Sequence, residues 1–304
     1  MEIYYQGYDI TEMVTVNACV GRDTCGDRCD SLEIEFSNAA GWYSWGPKED
    51  DQIVVTYNGY DTGVQYVHTI IPSEGTFRIL AASMPGTARK REYRSFTGKT
   101  IEEIIAMCAA RTDMDYQIFG MDGSIVIPYI EQNNESAPAF LQRLLTLEGA
   151  SLKIVNGKYT AIDILYAQER AAKQNIEITA KQVGTTYTKN GACIKRITVR
   201  TPYAEASAED TAEEGTREIM VNNLPARNSI QAGRWARGKL LNENRKCEMV
   251  DMEQDFNAGM SALVRIDISG DTDATGEWLA EDVQHDFVNK KTKAKLHRCV
   301  WSIQ

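Results

Sequence analysis

The chain has 304 residues, 43% hydrophobic and 25% charged, and a formal net charge of −10. That length gives a prior of about two domains with enough apolar sequence to bury a core, and the composition excludes wholesale disorder and fibrous repeats. The acidic balance argues against a nucleic-acid ligand, and no apolar run approaches the roughly 18 residues of a membrane span, so neither specific nucleic-acid binding nor membrane insertion is expected.

The first segment, Met1 to about Ala82, alternates apolar and polar residues in short bursts. In Ser31-Leu32-Glu33-Ile34-Glu35-Phe36 the apolar residues fall on one face, the period of two expected of a half-buried strand. Residues 52–57 continue the pattern, the turn signal Asn58-Gly59 follows, and 63–70 and 76–82 supply further strands. Several short strands at this spacing predict a barrel or sandwich.

After Pro85 the character changes. Thr100 and Glu103 have capping-box spacing and open a helix over 100–109. Residues 116–119 and 125–128 read as a strand pair across Met121-Asp122-Gly123. Ser136 is expected to cap a second helix, with Pro138 in its first turn and Phe140, Leu141, Leu144, Leu145 and Leu147 as its apolar stripe. Residues 151–155 and 158–162 predict a hairpin across Asn156-Gly157. A helical crossing over 166–173 leads to strands at 176–179 and 194–201. The stretch from Tyr203 to Gly215 is acidic and lacks periodicity, so a mobile loop is expected there. A helix over 228–247, then strands at 279–287 and 291–301, close the chain.

This reading gives an α+β, mainly β fold: a first β-barrel domain (1–85), an inserted α+β module (86–165), and a second β-barrel domain (166–304) carrying the helix near 228–247.

The segment Ala139-Phe140-Leu141-Gln142-Arg143-Leu144, running through Glu148-Gly149-Ala150 to Asn156-Gly157-Lys158-Tyr159, resembles the helix-hairpin module of the phage late control protein D family, the baseplate hub proteins of contractile tails. The ending Leu279-Ala280-Glu281-Asp282-Val283-Gln284-His285-Asp286-Phe287, with Thr292-Lys293-Ala294-Lys295-Leu296, is similar to the closing hairpin of that family's second barrel. Gly26 to Phe36 and Trp45 to Ile53 resemble hubs of Gram-positive phages and phage-like bacteriocins. The resemblance implies a non-enzymatic homotrimer whose paired barrels form a ring of six, mating a sixfold tail tube to a threefold central spike. The implied partners are the spike protein and the tail tube or tube-initiator protein, with baseplate wedge and tape measure proteins as possible additions. The implied location is the tail baseplate of a virion or phage-like particle, assembled in the bacterial cytoplasm. No cofactor is implied.

No residue constellation competes with that reading. Cys19, Cys25 and Cys29 are weak metal candidates, because their spacing lacks the paired two-residue motifs of structural zinc; packing or free thiols is the alternative. The seven cysteines, an odd number, suit a reducing compartment. His68, His285 and His297 have no metal or triad spacing. Glu49-Asp50-Asp51 and Glu102-Glu103 could serve a cell-wall hydrolase, but such pairs are common on turns and helix starts. A carbohydrate-binding β protein is the third reading. For assembly, Trp42, Tyr43 and Trp45 could anchor a neighbouring chain or cap their own barrel, and Arg234 and Arg237 could line an interface or a solvated helix face.

Overall fold

The computed structural model describes residues 1–26, 28–37, 41–42, 45–177, 185–191, 193–270 and 273–304. In chain order the first part supplies β1 (Glu2–Tyr5), β2 (Tyr8–Asp9), β3 (Val16–Thr24), β4 (Ser31–Phe36), β5 (Gln52–Tyr57), β6 (Tyr60–Asp61), β7 (Gln65–Ser73) and β8 (Thr76–Ala82). Next come β9 (Arg91–Thr100), α1 (Ile101–Thr112), β10 (Asp115–Phe119), β11 (Val126–Ser136), α2 (Ala137–Leu147), β12 (Ala150–Val155), β13 (Lys158–Asp163) and α3 (Ile164–Glu169). The last part is β14 (Gln174–Glu177), β15 (Thr185–Lys189), β16 (Arg196–Arg200), β17 (Glu205–Glu209), β18 (Glu218–Val221), α4 (Ser229–Asn244), β19 (Glu248–Asp255), β20 (Arg265–Ser269), β21 (Gly276–Asp286) and β22 (Lys291–Arg298).

The mainly β, α+β class holds, but the two ends of the chain share one sheet. Its order is β15-β19-β22-β21-β3-β4-β8-β7-β5-β1-β2, an open path among the described residues. The join is the antiparallel pairing of β3 with β21, in register from Thr24 opposite Asp282 to Val20 opposite Asp286. An aromatic seam seals it. The rings of Tyr60 and His285 lie 4.2 Å apart, and Tyr57 and Phe256 meet edge to face at 4.7 Å. Gly21 packs closely beneath this seam, where an added Cβ would stand 3.0 Å from the Phe287 ring. The buried His285 is held as a neutral group: Nε2 lies 3.1 Å from the Met260 carbonyl oxygen and Nδ1 lies 3.0 Å from the Thr292 hydroxyl. Nε2 therefore carries the proton, and burial pushes the pKa down.

Between the sheet's halves, the inserted segment builds its own core of Phe96, Ile104, Ile105, Phe140, Leu141, Leu144 and their neighbours. The capping box forms as expected, with the Thr100 hydroxyl accepting from the Glu103 amide and the Glu103 carboxylate accepting from the Thr100 amide. The Ser136 hydroxyl accepts from the Ala139 amide, and β12 and β13 form the expected hairpin.

One expectation fails here. The strands β10 and β11 are not partners: β10 runs parallel to β13, while β11 pairs antiparallel with β9. The intervening turn serves α1 instead, since the amides of Ile101 and Glu102 donate to the carbonyls of Ile125 and Gly123. Two amides at the start of α1 that its own turns cannot satisfy thus find partners in the 123–125 segment.

A second correction concerns the acidic stretch expected to be mobile. Its core is β17, hydrogen-bonded antiparallel to β16. Glu205 sits opposite Arg200 and is bridged at 2.6 Å, and Glu209 sits opposite Arg196 at 2.7 Å, while Ala208 turns inward. Cross-strand charge pairing and small inward residues make a strand from a sequence with almost no hydrophobic signal. The strand expected over 176–179 is seen as β14 up to Glu177; its end lies outside the described residues.

Candidate assembly interface

The predicted helix near 228–247 is α4, capped by the Asn228 side chain, which accepts from the Gln231 amide at 2.8 Å. Residues 234, 238 and 242 are spaced four apart, so they form one stripe, and that stripe lies on the C-terminal end of α2. Arg234 Nε donates to Glu148 Oε2 at 2.8 Å, and Trp235 Nε1 donates to Oε1 of the same carboxylate at 2.8 Å. Asn242 Nδ2 donates to the Thr146 carbonyl at 3.1 Å, satisfying a helix-end oxygen of α2. Between them Gly238 has no side chain, and an added Cβ would stand 2.2 Å from the Leu147 carbonyl oxygen and 2.6 Å from the Gly149 nitrogen. The helix backbones therefore touch.

The Glu148 side chain is 2% exposed and serves two donors, one of them charged. Glu148→Gln keeps an acceptor for one donor but removes the charge facing Arg234, and is expected to cost about 1–2 kcal/mol. A urea melt followed by Trp fluorescence checks this; an unchanged midpoint contradicts it.

A second junction forms at the β3–β4 connection. Here Lys153 of β12 reaches into the main sheet, its Nζ 2.5 Å from Asp23 and 2.9 Å from Asp30, with all three side chains at least 86% buried. The two carboxylates hold the ammonium charged, pushing the Lys153 pKa up against the burial that lowers it. One lysine neutralises only one of two acids. Burial therefore dominates at Asp30, helped by Asp23 and opposed by Lys153, and raises its pKa from 3.8 to about 6. Nearby, Arg245 from the end of α4 donates to Glu281 at 2.9 Å, and His297 Nδ1 lies 3.4 Å from the same carboxylate. Burial acts to raise the Glu281 pKa, but Arg245 and His297 outweigh it and hold the group at about 2. The Cys25 amide donates to the Glu281 carbonyl and the Gly26 amide to the Leu152 carbonyl, so this one connection is pinned from both sides.

The structure separates the three clustered cysteines. Cys19 lies in the core of the first strands, Cys25 in the core beneath α4, and Cys29 against the core of the insert. Burial raises the pKa of each thiol. Trp42 is 1% exposed, stacked at 5.5 Å on Phe77 and 4.4 Å from Phe36, so it is a core residue of its own subunit. Trp45 packs edge to face on it at 5.1 Å yet remains 39% exposed. Tyr43 lies outside the described residues. In the basic set Arg234 and Arg245 are used internally, whereas Arg237 is exposed.

Sequence reasoning missed the Lys153 and Glu281 junctions. It also missed a surface group in which the Arg227 guanidinium lies 4.6 Å from the Tyr203 ring and 5.3 Å from that of Tyr129. Only the isolated aromatic Tyr203 in a polar stretch hinted at it.

No helix of the described residues is long and apolar enough to cross a membrane. No family model matches the chain. Among solved structures, the 43 kDa tail protein of prophage MuSo2 from Shewanella oneidensis superposes with a TM-score of 0.74 at 13% identity, covering 98% of this chain and 97% of that one. A tail protein of Neisseria meningitidis gives 0.77 at 8% identity, with 99% and 97% covered. An Escherichia coli component of the type VI secretion system gives 0.63 at 12% identity, covering 99% and 77%. The class is thus defined: this is the fold of phage tail proteins and their secretion-system counterparts. Within it, the sequence is similar to the probable baseplate hub protein of Escherichia phage 186, 27% identical over 150 residues, and to that of phage P2, 27% identical over 146 residues. Each match covers 45% of this chain and 37% of the relative, so the chain matches well under half the length of either protein. The chain thus shares the fold of phage tail proteins over nearly its whole length, and part of its sequence is similar to baseplate hub proteins.

Proposed function

We propose that this chain is the ring-forming subunit of a tail hub: three copies close a homotrimeric ring that joins a sixfold tail tube to a threefold central spike in a contractile, phage-like tail. The supporting observation is the likeness to tail proteins over 98–99% of the chain, together with the hub proteins among its sequence relatives. Symmetry supplies the physical reason. A surface that meets six subunits on one side and three on the other arises when each of three chains presents two like units in closed cyclic symmetry. The β-rich stretches 1–85 and 166–304 are the two units of this reading, and 86–165 is the insert. Trp45 and Arg237 keep exposed side chains and serve as contacts to neighbouring subunits, spike or tube. The role is assembly and load transmission within the particle, without catalysis.

Light scattering of the purified chain, alone and with a spike protein present, tests the ring. The expected mass is about three times the chain mass of 34.0 kDa in at least one condition. A strict monomer at high concentration in both conditions overturns the trimer.

A further inference from the structure

We infer that Cys193 and Cys247 are a dithiol that thiol–disulfide exchange converts to an intramolecular disulfide, tying the segment before β16 to the connection between α4 and β19. The two segments are held against each other by hydrogen bonds on both sides of the pair. The Ile194 amide donates to Asn244 Oδ1 at 2.9 Å, Asn244 Nδ2 donates back to the Ile194 carbonyl at 2.8 Å, and the Asn190 amide donates to the Cys247 carbonyl at 2.6 Å. Within this frame Cys193 Sγ donates to the carbonyl of Asn190 at 3.6 Å, the same residue whose amide bonds Cys247, and each thiol perturbs the ionisation of the other. The other five cysteines sit in hydrophobic cores or, for Cys29, against one.

The pair is asymmetric. Cys193 is partly exposed and Cys247 is buried, so an external disulfide reaches Cys193 first. Burial raises the Cys193 pKa, while the neighbouring Cys247 side chain acts in the opposite direction and favours the thiolate. Glu213 and Glu248 face Cys193, and Glu213 and Asp210 face Cys247; these carboxylates disfavour either thiolate, so the exchange quickens as pH rises.

With oxidised glutathione as the oxidant, the Cys193 thiolate attacks one glutathione sulfur, forms a mixed disulfide and expels a glutathione thiolate, which takes up the proton Cys193 released. Cys247 then loses its proton to solvent and attacks the Cys193 sulfur, expelling the second glutathione thiolate. Two protein thiols are oxidised and one glutathione disulfide is reduced to two thiols. A chain folded with reduced thiols in the cytoplasm would close the bond on meeting an oxidising exterior.

The test treats the native full-length chain with oxidised glutathione at mildly alkaline pH, alkylates the remaining thiols, and reads intact and peptide masses. The expected product has lost about 2 Da, with one cross-linked peptide pair joining Cys193 to Cys247. Cys247→Ser should stop at the glutathionyl adduct on Cys193, and Cys193→Ser should give neither adduct nor cross-link; circular dichroism of both variants verifies that they fold. Alkylation of every cysteine after treatment, or a cross-link through any other pair, overturns the inference.

Discussion

Replacing Gly238 by Ala is expected to cost about 3 kcal/mol or more, the upper end of what overpacking causes. The new methyl would fall 2.2 Å from the Leu147 carbonyl oxygen and 2.6 Å from the Gly149 nitrogen. Both are backbone atoms, so no rotamer change relieves the clash. The end of α2 also cannot retreat without breaking the Asn242 hydrogen bond to Thr146 and the pairing of Arg234 and Trp235 with Glu148. A second glycine in the same helix provides the control. At Gly233 an added Cβ meets only the Ala206 methyl, at 3.7 Å, so Gly233→Ala should leave stability unchanged or raise it by about 0.5–1 kcal/mol through helix propensity. Urea unfolding of both variants against the parent chain reads the difference. Equal midpoints for the two alanines would contradict the direct backbone contact between α2 and α4.

Lys153→Met is expected to be as damaging, at about 3–5 kcal/mol, because it leaves Asp23 and Asp30 buried together without a cation. Its pH dependence is diagnostic. The Asp30 pKa is raised on folding from 3.8 to about 6, so between those values the native state binds more protons than the unfolded chain. Stability therefore falls as pH rises through that window and returns on acidification. Without the lysine the mutual repulsion of the two acids is unrelieved, and the same trend should be steeper. Adding Asp30→Asn to Lys153→Met should recover part of the loss near neutral pH. Thermal melts from pH 4 to pH 8 measure this, and a pH-independent deficit in the single variant would sink the account.

The elements readable from sequence were those whose signal is local. The capping box at Thr100 and Glu103, the Asn156-Gly157 hairpin and the stripe of α2 each lie within a dozen residues, and the structure forms all of them. What could not be read was pairing between distant segments. Nothing in Tyr116 to Phe119 distinguishes a hairpin partner at 125–128 from a parallel neighbour at Lys158 to Ile162, because both need only a short half-apolar strand. The long strand β9 escaped for another reason: of its residues only Phe96 is buried, so it carries no alternation to detect. Among candidate contacts, Trp42 showed the limit of composition. Three aromatics beside a Gly-Pro turn suit an exposed anchor and a core equally well, and only the positions of Phe36 and Phe77 distinguish them. Lys153 was invisible because its acids lie far away in sequence, at Asp23 and Asp30.

The pairing of β3 with β21 has a consequence for biosynthesis. It joins residues 20–24 to residues 282–286, nearly the full length of the chain apart. Contacts of such separation form late, since the loop they close must first be ordered. A chain emerging from the ribosome can complete the capped helices and hairpin of residues 100–163 well before β21 exists, but the edge of β3 stays unpaired until β21 has been made. The central sheet thereby couples distant parts of the chain: a chain that stops before β21 exposes an open strand edge on β3, while one that includes β21 covers it.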